Sequence, residues 1–131
     1  MSAAALLRAT LVIGGLAAIV ASLGPLLLGI ASIPGGMPVN ATLDSEARFY
    51  ACFFCAYGVL ALWCARRLGQ RLAVVPWLAL VLFAGGVARL LAIAASGWPH
   101  PFFVAMTGVE LVVPLLLWAC AWRLRGSGSS R

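Results

Sequence analysis

An arginine and a glutamate stand deep inside apolar runs, and that placement limits this chain more than any other feature. The segment from Gly85 to Glu110 reads GGVARLLAIAASGWPHPFFVAMTGVE. Arg89 and Glu110 lie on either side of a short Gly/Pro/His turn. A charge at membrane depth costs about 2.5–3.5 kcal/mol on insertion scales. A guanidinium cannot shed its proton to escape that cost. Arg89 therefore needs a partner at its own depth. At about 1.5 Å of rise per residue, Arg89 lies roughly 10 Å below the turn and Glu110 roughly 12 Å. Two antiparallel helices joined by the turn bring them level.

The rest of the chain supplies the membrane setting. Of its 131 residues, 64% are hydrophobic and 9% are charged, where a soluble domain carries about 25% charged residues. Four apolar runs, about 9–30, 45–65, 72–95 and 102–122, are each long enough to cross roughly 30 Å of hydrocarbon. The first is longer than the roughly 7–15-residue core of a signal peptide, so a retained helix is expected. The expected fold is an all-α membrane protein. It has one domain over residues 1–125, with four transmembrane helices in an up-down-up-down bundle. Residues 126–131 form a basic Ser/Gly tail expected to be disordered.

All nine basic residues are arginine. Arg8, Arg66, Arg67, Arg71, Arg123, Arg125 and Arg131 flank the apolar runs, the positive-inside pattern. It puts both termini in the cytoplasm and the protein in the inner (plasma) membrane. The 31–44 loop and the 96–101 turn then lie outside. The net charge of +6 is explained by this topology, so nucleic acid is not an expected partner. The bilayer is.

Local signals place the remaining polar residues. Pro34, Gly35, Gly36 and Pro38 break the chain between the first two spans. Asp44 is the expected N-cap of the second, with Glu46 in its first turn. Asp44 and Arg48 have i, i+4 spacing for an ion pair. Glu46, Tyr50, Phe53 and Tyr57 form one helical stripe; Arg48, Cys52, Cys55 and Val59 form the next. Tyr57 is expected to bury its ring and find a hydrogen-bond partner. Cys52 and Cys55 stand two to three turns inside the span, away from the helix end that lowers a thiol pKa, so small apolar fillers are expected there. Trp118 and Trp122 mark the inner interface. His100 has neither a second histidine nor a cysteine beside it, so no metal site is expected.

By depth, Arg89, Glu110, Tyr50, Glu46 and Arg48 gather in the outer half of the bundle, and Tyr57 joins them as a candidate from the same stripe as Tyr50. They are the candidate ligand-binding residues. The chain has no nucleophile–base pair, no phosphate loop and no cofactor signature. If it were an isomerase-type enzyme, Glu110 would be the acid/base group and Arg89 its electrostatic partner.

The same residues carry a resemblance. The marks are Glu46, Arg48, Phe49 and Tyr50 opening the second span, Tyr57-Gly58, Gly86 with Arg89, the Gly97-x-Pro99 turn, and Glu110. With them the chain resembles a family of small bacterial four-helix membrane proteins known only as a domain of unknown function. Its organisation is similar to that of DoxX-like proteins. The resemblance implies fold and location, and it brings no activity.

Three functional expectations follow. The first is a non-catalytic accessory or assembly component, alone as a homo-oligomer or within a larger membrane complex, with Arg89–Glu110 as a buried pair. The alternative is a site for a small lipophilic molecule, such as a quinone or isoprenoid, with its head group in the polar cluster. A small proton-coupled transporter fits less well, because the first span has no acid and the arginine bias fixes one orientation. The topology is directly testable. In a cysteine-free background, an impermeant maleimide should label Asn40→Cys in intact cells and leave Ser127→Cys unlabelled until the membrane is broken.

Overall fold

A computed structural model describes residues 2–126. It contains helices α1 (Ala3–Leu28), α2 (Ala41–Arg66), α3 (Leu68–Arg71), α4 (Val75–Ser96) and α5 (Pro101–Gly126), with a 3-10 turn at Ile30–Ser32. Four of them, α1, α2, α4 and α5, are long and apolar enough to cross a membrane. The protein is thus an all-α, multi-pass membrane protein.

Helices α1 and α2 begin earlier than their apolar runs alone indicate, because polar residues cap them, whereas α4 begins later than its run, at Val75. Ser2 accepts from the Ala5 amide at the start of α1. Asn40 caps α2 by accepting from Leu43 N at 3.0 Å. The expected cap, Asp44, is one turn inside the helix and serves another purpose described below. Arg123 and Arg125 belong to the last turn of α5, where cations suit the helix dipole. Gly126, assigned to the tail by the sequence, ends that helix, and the rest of the expected tail lies outside the described residues.

Helix α1 packs most extensively on α2, and α4 on α5; α1 also meets α5, while α2 and α4 touch little. The molecule is two helical hairpins whose shared apolar core lies at one end. That end carries both termini and holds the apolar core: Leu7 and Leu11 meet Cys64, Val75, Ala79 and Leu117, all buried. Toward the loops, small residues replace the bulky ones. The buried seam of α1 runs Leu7, Leu11, Gly15, Ala18, Ser22, the 3–4 spacing of one helix face.

Lipid is as apolar as leucine, so nothing squeezes these helices together except close packing and polar contacts. Glycine supplies the packing. A Cβ on Gly58 would stand 2.6 Å from the Gly15 carbonyl oxygen, and one on Gly15 would stand 2.9 Å from that of Gly58. The α1 and α2 backbones touch there. Gly86 does the same for the second hairpin, where a Cβ would come within 2.9 Å of Leu111 and 3.2 Å of the Glu110 backbone. Only 17–22% of each span is buried, so most of every helix faces outward, as lipid contact requires. Gly58→Ala should therefore destabilise the protein by about 1–3 kcal/mol through overpacking. Gly14→Ala, with nothing within 4 Å of the added carbon, should leave melting in detergent unchanged or raised.

Candidate functional site

Arg89 and Glu110 meet as their depths require. Arg89 Nε donates to Glu110 Oε2 at 2.6 Å. Gly86, one turn before Arg89, lets α4 approach α5 at this level. The two members are unequal. The Glu110 side chain is 10% exposed and that of Arg89 is 38% exposed. Arg89 makes its only hydrogen bond through Nε, so both Nη atoms are without an acceptor among the described residues. Its Cζ lies 5.2 Å from the centre of the half-buried Phe103 ring, within the range of a cation–π contact. Thr107, one turn before Glu110, is buried and turns its hydroxyl back to the Phe103 carbonyl at 2.8 Å. Pro114, one turn after, removes the amide that would have served the Glu110 carbonyl.

Arg48 belongs to a second, separate group. Its Nε donates to Asp44 Oδ2 at 2.8 Å. Its Nη1 donates to the Leu26 carbonyl at 2.8 Å and the Leu27 carbonyl at 3.3 Å. Asp44 Oδ1 in turn accepts from Ile30 N at 2.9 Å. These carbonyls are orphans at the C-terminus of α1, which ends at Gly29 with φ +81°. The Asp44–Arg48 pair of α2 therefore caps α1, and Gly29 leaves the room it needs: a Cβ there would collide with the Asp44 carboxylate.

The one polar cluster expected from depth is thus two groups, with no hydrogen bond or ion pair between them among the described residues. Tyr50 joins neither. It is 63% exposed, and its ring meets that of Phe49 edge-on at 5.6 Å. Glu46 is exposed. Tyr57 sits against the core near the termini, where its hydroxyl donates to the Leu78 carbonyl at 3.2 Å and ties α2 to α4. Stripe arithmetic on α2 gives height but not which stripe faces α4 and α5.

The cysteines divide. Cys64 and Cys120 are core residues. Cys52 is exposed and Cys55 half-buried, which corrects the expectation of buried fillers. With Leu26, Val59, Leu60 and Trp63 they line a shallow apolar groove of about 670 Å³. His100 acts locally, its Nδ1 accepting from Phe102 N at 3.2 Å as α5 begins. Among the described residues no group of three or more His, Cys, Asp or Glu is arranged to hold a metal.

Two contacts were beyond sequence reasoning. Trp118, read as an interface anchor, is half-buried and donates from Nε1 to the Pro76 carbonyl at 3.1 Å, tying α5 to α4. Arg71 bonds the Trp63 carbonyl and stacks 3.6 Å over its ring, closing the C-terminus of α2.

The sequence profile of a family described as a domain of unknown function (DUF4345) matches residues 6–121. No curated protein and no solved structure matches the chain. The match covers both polar groups and nearly all of the four spans, and it extends to no likeness with DoxX-like proteins.

The pair invites a three-variant comparison. Glu110→Gln strands a guanidinium that cannot be neutralised, whereas Arg89→Leu strands a carboxyl that can take up a proton. Glu110→Gln should be the more damaging of the two, costing about 3 kcal/mol relative to wild type, the low end for a broken buried pair because Arg89 is part exposed. The double variant should recover most of the loss in thermal melts. Wild-type stability in both single variants would mean that the two residues do not pair in the membrane.

Proposed function

This chain belongs to the DUF4345 family, and from that premise we propose that it is a non-catalytic accessory component of a membrane assembly, with Arg89 as its polar contact. One observation carries the reading: Glu110 holds Arg89 by Nε alone and leaves both Nη donors open at the bundle surface. In hydrocarbon such donors find no water. Their acceptor then comes from outside the chain. A carbonyl or carboxylate on a facing helix supplies one, and the apolar residues around Arg89, Val87, Leu90 and Leu91, all exposed, supply the packing surface. The facing helix belongs to a second copy or to a larger complex. We take the end bearing the termini to face the cytoplasm of an inner-membrane protein, on the arginine bias.

The second reading is a lipophilic small molecule such as a quinone or isoprenoid. Phe103 favours it, because a ring beside a guanidinium makes a platform for a flat head group whose carbonyl the Nη atoms would receive. In that reading Glu110 orients Arg89, and Tyr50, Tyr57, Glu46 and Arg48 have no direct part.

Mass spectrometry of the protein released intact from mild detergent separates the two. The assembly reading expects a dimer or a defined larger mass in the wild type and a monomer in the Arg89→Leu, Glu110→Gln double variant. The ligand reading expects a retained molecule of lipid size that the double variant loses. A bare monomer in both proteins would overturn both readings.

A further inference from the structure

The end that carries the termini is as distinctive as the site near the loops, and it involves none of the same residues. Arg8, Arg66, Arg67, Arg71, Arg123 and Arg125 all stand there. The three acids of the chain, Asp44, Glu46 and Glu110, are all away from it. Four of the five tryptophans, Trp63, Trp77, Trp118 and Trp122, are at this end too. Trp63, Trp77 and Trp122 are exposed. So are Arg8, Arg66, Arg67 and Arg125.

The arginines are not equivalent. Arg71 turns back onto Trp63 and is occupied. Arg66 and Arg67 sit together where α2 gives way to α3, with no acid nearby to neutralise them. We propose that this face is a docking surface for anionic phospholipids of the leaflet it enters. Arg66 and Arg67 supply the phosphate contacts, and the exposed indoles fix the level of the headgroups. Guanidinium groups pair with phosphate oxygens in a two-pronged geometry that ammonium groups lack. Indole rings settle at the headgroup level of a bilayer. Free phosphate gains nothing from the rings, so their combination with a basic pair selects a lipid.

The tryptophans make the test direct. The full chain carrying Trp98→Phe, which removes the reporter near the loops, is reconstituted into phosphatidylcholine vesicles containing a fixed share of brominated lipid. Brominated phosphatidylglycerol should quench the indoles more than brominated phosphatidylcholine, and added salt should erode the difference. Arg66→Gln with Arg67→Gln should lower the preference by about threefold or more, while Arg66→Lys with Arg67→Lys should keep most of it. Equal quenching by the two lipids would overturn the proposal. So would a preference that salt does not touch, one that the glutamine variant retains, or one that millimolar inorganic phosphate abolishes. If the glutamine variant fails to fold, the salt series on the parent chain still decides.

Discussion

In hydrocarbon, a donor or acceptor that finds no partner within the protein finds none in its solvent. The arrangement of this molecule follows from that constraint. Ser22 and Thr107 turn their hydroxyls back to carbonyls of their own helices. Tyr57 and Trp118 reach across to carbonyls of α4, so that their polar atoms become cross-links between helices. Arg48 closes the open end of α1. Among the described residues no buried side-chain nitrogen or oxygen is without a partner. Arg89 is half-exposed and outside that balance. It is tied on one edge and open on the other, which is why the functional reading rests on it.

The glycines serve the same constraint in another way. Polar cross-links act over about 3 Å, so backbones must come close before side chains can reach. Gly15 against Gly58, and Gly86 against Leu111, set that approach for the two hairpins. Between the hairpins, Gly35 makes the close approach at the loop end, where a Cβ would stand 3.0 Å from His100 Cβ, and the buried apolar core joins them near the termini. The bulky apolar core thus lies at the end with the termini, and close glycine contacts set the packing toward the loops.

Much of this was legible in the sequence, and the gaps have physical causes. Span number and approximate position follow from apolar length, since no other arrangement satisfies four such runs. The Arg89–Glu110 contact follows from equal depth on neighbouring helices joined by a short turn. Depth says nothing about azimuth, however. Tyr50 has the right height and faces outward, and Arg48 has a carboxylate of its own helix and the end of α1 to satisfy. Helix boundaries were missed by a few residues because caps such as Asn40 extend a helix beyond its apolar stretch. The Trp118–Pro76 bond pairs residues 42 positions apart, and neither carries a pattern that names the other.

The sequence separation of the two polar groups bears on how the chain is made. Every atom of the Arg48 group lies within α1, the following loop and α2, so it can close while α4 is still inside the ribosome. Arg89 has no such early partner: Glu110 is 21 residues further on. Were α4 released into lipid alone, it would carry a naked guanidinium. The first two helices can thus close their polar group as a hairpin on their own, whereas α4 needs α5 to neutralise Arg89, so the second pair is expected to enter the bilayer together.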